Sequence, residues 1–182
     1  FRSKRLKFVR YDNRKHFDSM FLYMSDVEEQ RMFLTYTSAN SVREFENWLE
    51  NQLRSYYKEF FVIEDNNELI GFVYSYEHHM RDGHCKIGIY IAPQWRVGGI
   101  GAVAGLQMMH YIFYHYPMRR INCDVYEYNT PSLMSLLQCG FERMGIWKEY
   151  RFYNGKYYDL ILLSMTREFY MEKYERFFSD QR

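Results

Sequence analysis

Between Ile91 and Ala102 the chain reads Ile-Ala-Pro-Gln-Trp-Arg-Val-Gly-Gly-Ile-Gly-Ala, which has the residue types of an anion-binding loop. Gly98, Gly99 and Gly101 let the backbone approach a ligand with no side chain intervening. Val103, Leu106, Met109 and Phe113 follow at helical spacing, so a helix starts where the loop ends. Successive amides at such a helix start point together with the positive end of its dipole, an arrangement that suits a pyrophosphate. A glycine-rich turn also arises wherever a tight connection demands it, so the loop alone leaves both readings open. Two nucleotide folds fit poorly. No lysine followed by Ser or Thr closes the loop, and several antiparallel-looking strands precede it, where a βαβ unit would place only its first strand.

These residues need elements to position them. Arg5 to Tyr11 alternates as a first strand, and Phe17, Met20, Phe21 and Met24 then recur at helical spacing. Ser41-Val42-Arg43-Glu44 has the capping-box spacing and opens a second helix, running to about Tyr57, with Phe45, Trp48, Leu49, Leu53 and Tyr56 on one face. Phe60 to Ile63, Leu69 to Glu77 and His84 to Ile91 form a meander broken by the turn sequences Asp65-Asn66-Asn67 and Arg81-Asp82-Gly83. After the helix over 102–116, Ile121 to Val125 alternates as a strand, and Thr130 and Pro131 supply the N-cap and first-turn proline of a short helix ending near Gly140. The runs Trp147 to Phe152 and Tyr157 to Met165 flank Asn154-Gly155, a strong hairpin signal. A last helix, 166–178, carries Phe169, Tyr170, Tyr174, Phe177 and Phe178 along one side. The order is β-α-α-β-β-β-α-β-α-β-β-α, an α+β arrangement with no repeat or linker, so a single domain over 1–182 is expected.

Arg96-x-x-Gly99-x-Gly101-Ala102, with Pro93 three residues before the arginine, resembles the coenzyme A signature Gln/Arg-x-x-Gly-x-Gly/Ala of the GNAT acetyltransferases. Asn129-x-x-Ser132 followed by Gly140-Phe141 resembles the later motif of that family, at the matching order and distance. The opening Arg5-Leu6-x-Phe8-x-Arg10 and the late Asn154-Gly155-Lys156-Tyr157-Tyr158-Asp159 resemble its RimJ/RimL-type branch of ribosomal-protein and polyamine acetyltransferases. The likeness covers residues 5–165. It implies a GNAT fold, with a central mixed sheet of about seven strands flanked by helices and the helix 166–178 added at the end. It also implies an N-acetyltransferase with acetyl-coenzyme A as donor. The acceptor would be a primary amine of a small molecule or a peptide amino terminus. By the same resemblance, the backbone of Ile89 to Ile91 pairs with pantetheine. The amides of Val97, Gly98, Gly99, Ile100, Gly101 and Ala102 hold the pyrophosphate, and Asn129 and Ser132 complete the grip. Arg96 is placed to pair with the nucleotide part, while Trp95 either stacks on it or packs under the helix.

Acetyl transfer from a thioester requires a neutral amine, stabilisation of the oxyanion and often a proton for the leaving thiolate. Asp124 is the first candidate base, because related alanine acetyltransferases carry a glutamate five residues before the motif asparagine. The alternative is that Asp124 pairs with Arg119, Arg120 or a tyrosine hydroxyl. Glu77 and Glu127 are weaker candidates. A strand amide near Ile91 would meet the oxyanion. Many family members protonate the thiolate with a tyrosine seven residues after the asparagine; here that position is Leu136, so either Ser135 or Tyr128 is the acid or the thiolate leaves unassisted. Lys86 stands where the branch often has a glutamate, which removes a carried-over base at that position. These departures keep open a second class of function, a catalytically impaired coenzyme A-binding protein acting as sensor or scaffold. His78, His79 and His84 flank one turn without a fourth ligand at recognisable spacing, so no metal is expected.

Composition sets the outer limits. Among 182 residues, 24 are basic and 23 acidic, so the net charge of +1 draws the chain to neither a phosphate backbone nor an anionic membrane. Nucleic acid and membrane are therefore not expected as partners. No apolar run approaches the roughly 18–20 residues of a membrane-spanning helix, and Arg2, Lys4, Arg5 and Lys7 are not followed by a signal-peptide core. Cys85, Cys123 and Cys139 lie in apolar stretches and read as reduced thiols, which points to a cytoplasmic protein. Aromatic residues reach 20% of the chain, enough to fill a core and also line a cleft for a partly apolar ligand. The aromatic side of helix 166–178 needs an apolar partner, and a homodimer contact is favoured slightly over docking on the chain's own sheet.

Overall fold

The β-rich runs between 59 and 91 are apolar on both faces, so they belong in the interior of a sheet covered on two sides. The computed structural model describes residues 6–33 and 41–179 and places those runs at the middle of seven strands. The strands are β1 (Lys7–Val9), β2 (Glu59–Asp65), β3 (Glu68–His79), β4 (His84–Ile91), β5 (Arg120–Tyr126), β6 (Glu142–Tyr153) and β7 (Lys156–Thr166). They lie in the order β1-β2-β3-β4-β5-β7-β6, antiparallel throughout except for the parallel pair β4 and β5. This is the mixed seven-stranded sheet flanked by helices that the resemblance implies. Among the described residues, no helix is long and apolar enough to cross a membrane.

Two cores cover the faces. On one side, helices α1 (Asn13–Ser25) and α3 (Val42–Asn51) bury Met20, Met24, Phe45 and Leu49 against Phe60, Val62, Phe72 and Tyr90. The other side belongs to α4 (Ile100–His115), α5 (Thr130–Gln138) and α6 (Arg167–Ser179), over Phe61, Ile63, Ile87 and Ile121. Ser41 caps α3 as expected, its hydroxyl accepting from the Glu44 amide at 3.2 Å. Beyond α3 the chain winds on as a wider π-type turn over Gln52–Tyr56. Asn154 (φ 47°) and Gly155 (φ 81°) both take the left-handed backbone that the tight β6–β7 turn requires.

Three expectations change. A short helix, α2 (Val27–Gln30), was not anticipated; the Asp26 carboxylate caps it, accepting from Glu28 (2.8 Å) and Glu29 (3.2 Å). The N-cap of α5 is Asn129, not Thr130, because its side chain reaches the Ser132 amide at 3.4 Å. The first strand shortens to Lys7–Val9, and Arg5 lies outside the described residues.

Helix α6 docks within the chain. Tyr170 and Tyr174 are buried, their hydroxyls donating to the carbonyls of Leu106 (3.0 Å) and Cys139 (2.8 Å). Phe169 packs over Gly140, where a Cβ would lie 2.4 Å from its ring. The aromatic side finds its apolar partner in α4 and α5, and of the stripe Phe177 is left exposed. The reason for expecting a dimer contact from this helix is thereby removed.

Helix α1 and strand β1 are pinned to the sheet by one buried acid. Glu64 in β2 accepts from Lys15, from Lys7 (2.7 Å) and shares a hydrogen bond with the His16 ring (3.0 Å). Hydrogen bonds from Lys15, Lys7 and His16 hold its carboxyl down to about 2, against the opposing effect of burial. A carboxylate depressed on folding stabilises the native state above its unfolded pKa of about 4.3, and that contribution disappears as pH falls toward the native value. Glu64→Gln should therefore cost about 2–3 kcal/mol at pH 7, a difference that shrinks between about pH 5 and pH 2. Urea unfolding across that range checks it.

Candidate functional site

Strands β4 and β5 pair only over His84↔Arg120, Cys85↔Ile121 and Lys86↔Asn122. Past Lys86 they part, because β7 holds β5 along its whole length while β3 keeps β4 up to Ile91. One weak link crosses the split, the Cys123 thiol donating to the Ile87 carbonyl at 3.7 Å. A cleft of about 410 Å³ opens there. Its walls are the facing edges of β4 and β5, the first turns of α4, and α5. Helix α4 presses close to β4, since a Cβ on Gly105 would sit 2.7 Å from the Ile89 side chain. On the other face the Tyr74 ring occupies the space that Gly88 leaves, 2.2 Å from where a Cβ would be.

The glycine loop lies at the mouth of this split. Gly98 (φ 62°) and Gly99 (φ 77°) take left-handed conformations, and nothing lies within 4 Å of the side chain either one lacks. At the start of α4 the Ile100 amide donates to the Val97 carbonyl at 3.4 Å, and the Val103 amide to the Gly99 carbonyl at 3.1 Å. Among the described residues, the amides of Gly98, Gly99, Gly101 and Ala102 donate to no backbone acceptor. Gly99, Ile100, Gly101 and Ala102 line the cleft; Val97 and Gly98 lie outside its lining, at the loop's tip. Ile89 and Ile91 line it as well. Arg96 also reaches the cleft, but its guanidinium is engaged: Nε donates to the Ile91 carbonyl at 2.8 Å and both terminal nitrogens meet the Glu29 carboxylate. Trp95 is not a lining residue; its ring packs between the two cores, which favours the packing reading.

At the opposite wall, Asn129 and Ser132 line the cleft from the start of α5. The Asn129 oxygen is occupied by capping, so the group left for a ligand is its amide donor. Asp124 lines the cleft too, and its partner is neither Arg119 nor Arg120. Lys86 reaches it at 2.8 Å and Glu77 at 2.9 Å. Burial pulls the Lys86 pKa down, but the hydrogen bonds to Asp124 and Glu77 outweigh it and the net direction is up. Glu127 turns to the Asp159 amide at 3.4 Å. Ser135 and Leu136 are on the cleft wall. Tyr128 is not: its hydroxyl donates to the Arg31 carbonyl at 2.6 Å, and its ring sits among Tyr126, Tyr153 and Tyr158.

Sequence reasoning missed several walls, including Met32, Phe33, Tyr74 and Tyr126. Phe33 stacks on Tyr90 at 5.1 Å, a contact that no local pattern announces. All three cysteines are free and buried, as expected of reduced thiols. Among the described residues, His79, Asp82 and His84 bring ligand atoms within 4.8 Å of one another; Asp82 takes the place expected of His78, and the group has three members. They sit at the β3–β4 turn, outside the cleft lining. His78 is separate: it bonds the Ser75 hydroxyl at 2.8 Å, and burial lowers its pKa to about 4.

Comparison with known proteins agrees with this geometry. The family model described as acetyltransferase (GNAT) domain matches residues 5–142. An uncharacterised prophage-derived N-acetyltransferase of Bacillus subtilis, YokL, is 30% identical over 133 residues, covering 72% of each chain. The crystal structure of spermidine N-acetyltransferase from Vibrio cholerae, in complex with CoA and spermine, superposes with a TM-score of 0.81 at 21% identity. That superposition covers 92% of this chain and 98% of the other. RimL, a ribosomal L7/L12 α-N-protein acetyltransferase in complex with coenzyme A, gives 0.76 at 16% identity over 90% and 94%.

If the loop amides hold a pyrophosphate, a side chain on Gly99 intrudes on it and also strains a left-handed backbone. Gly99→Leu is expected to weaken coenzyme A binding by about 100-fold or more while the protein stays folded. Calorimetric titration with coenzyme A beside a thermal melt measures both.

Proposed function

The chain belongs to the GNAT acetyltransferase family and is an N-acetyltransferase, and from that premise we propose that it acetylates a primary amine of a small molecule or a peptide amino terminus at the β4–β5 split. One observation carries the reading: the strand edges part after Lys86 and Asn122, directly below unpaired helix-start amides. Unpaired backbone groups on a strand edge suit an amide-bearing arm, and the α4 amides with the helix dipole suit a pyrophosphate. Acetyl-coenzyme A combines the two and supplies the activated acetyl group. In this reading Ile89 and Ile91 pair with the arm, the amides of Gly99, Gly101 and Ala102 receive the phosphates, and the Asn129 amide steadies the donor from the far wall.

The chain's own groups then divide the chemistry. Asp124, on the cleft wall, takes the proton that the acceptor amine must lose to become a nucleophile. A β4 amide donates to the oxygen as negative charge develops on it. Ser135 is the hydroxyl we assign to the departing thiolate, since Tyr128 is committed to Arg31 and Leu136 has no proton to give. Relatives in structure act on spermidine or on a ribosomal-protein amino terminus. Leu136 on the cleft wall favours a second reading, a donor-binding protein without turnover. Thiol release with an amine panel separates the two.

Asp124→Asn keeps the shape of the side chain and removes the base. Its kcat should fall by about 100-fold, with the Kd for coenzyme A within about twofold of the parent, because the donor grip lies elsewhere. Steady-state kinetics and titration together check this.

A further inference from the structure

Lys86, at the last paired position before β4 and β5 part, lies outside the cleft lining but holds the lining residue Asp124 as an acceptor amine would. Lys86 Nζ lies between Asp124 (2.8 Å) and Glu77 (2.9 Å), with its side chain 23% exposed and that of Asp124 9% exposed. Glu77 does not get there by ordinary strand geometry. Tyr76 pairs with Lys86 and His79 with His84, so β3 has an extra residue in this stretch, and Glu77 has φ 48°. A bulge re-aims a side chain, and a left-handed non-glycine residue persists only where its surroundings hold it. Here the bulge brings a second carboxylate to the ammonium that faces the proposed base. The trio carries two negative charges and one positive, which leaves one negative charge for a ligand.

We infer that Lys86 is a specificity residue that restricts the acceptor to amines bringing a single ammonium to the cleft, and that it disfavours diamines and polyamines. The inference rests on the reading of Asp124 as the base. A nitrogen that gives its proton to Asp124 lies about 3 Å from that carboxylate, and so within roughly 8 Å of the Lys86 ammonium. A second ammonium on a four- or five-carbon chain would share that neighbourhood with Lys86 and meet like charge, while the one surplus negative charge is already used by the reacting amine. Other cations stand on the same side. The Arg151 guanidinium lies 5.5 Å from the centre of the Tyr126 ring, which lines the cleft. Arg31, paired with Glu28 at 3.5 Å, lies over Tyr153 at 5.9 Å, next to the lining residues Met32 and Phe33. Recognition of a polycation calls for several carboxylates in excess, and the Lys86 trio leaves an excess of one.

Two matched pairs test the inference, each differing by one ammonium: butylamine against butane-1,4-diamine, and norleucine amide against lysine amide. Initial rates with acetyl-coenzyme A give the ratio of kcat/KM within each pair. The unaltered protein should favour the monoamine by about tenfold or more, and Lys86→Met should lower that ratio about tenfold, as expected for one unit charge several ångströms away in a partly buried site. Lys86→Arg should restore the preference. Glu77→Gln, which removes a carboxylate and keeps the lysine, should raise it further and serves if Lys86→Met does not fold. A purely structural lysine would change all four amines alike. Preference for the diamines in the unaltered protein, or a ratio indifferent to both Lys86→Met and Glu77→Gln, overturns the inference. Tight coenzyme A binding with no transfer to any amine is a distinct result, and it removes the transferase reading together with the inference built on it.

Discussion

Parallel pairing between β4 and β5 ends after three residue pairs, and most of what this protein can do depends on that ending. Each strand has a better claim on it from its other neighbour. Seven residues of β5 pair antiparallel with β7, and β4 pairs antiparallel with β3 from Lys86 to Ile91. The crossover helix α4 sits against β4 at the Gly105–Ile89 contact, so β4 follows the helix and β5 follows the hairpin. Backbone groups on the parted edges cannot pair with one another, and a partner must come from water or a ligand. An extended arm carrying amides is the partner that satisfies both edges without closing the sheet.

The same constraint fixes the glycine loop. The extra residue of β3 at Ile70 offers its carbonyl to the Ala92 amide at 2.9 Å, which carries the β3 hold on the chain one residue past Ile91. Pro93 to Trp95 then form a single 3₁₀ turn with the Trp95 ring packed into both cores. From a point so firmly fixed, the chain has only a few residues in which to reverse into α4. Left-handed backbone at Gly98 and Gly99 accomplishes it. The tight connection and the proposed anion site are thus one feature seen twice, which is why the loop alone could not distinguish them.

Local patterns in the sequence disclosed what local forces determine. The Ser41 cap, the Asn154-Gly155 turn and the alternating strands all formed near their expected positions, since each is decided within a few residues. Misses came where distant chain decides. Thr130 and Asn129 are both good capping residues, and the backbone chose the one whose side chain reaches Ser132. The stripe on α6 read correctly as apolar, but only the folded chain could show that α4 and α5 leave a seat for it. Asp124 was legible as an acid at the split. Its pairing with Lys86 was not, because a parallel register and a bulge at Glu77 together set that contact.

The charges of the cleft are distributed unevenly, and the asymmetry fits the two jobs its ends would perform. At the donor end Arg96 is already balanced by Glu29 and tied to the Ile91 carbonyl, so its charge is not free to act as a bare cation. What would draw an anion there is a set of neutral amides and a helix dipole, which hold their direction without side-chain ordering. At the acceptor end the charges are close, partly buried and nearly compensated. A site of that kind responds strongly to one charge more or less, because little water intervenes to screen it. Fixed dipoles at one end suit a donor that never changes, and a finely balanced charge cluster at the other suits the discrimination among amines that the donor end has no means to make.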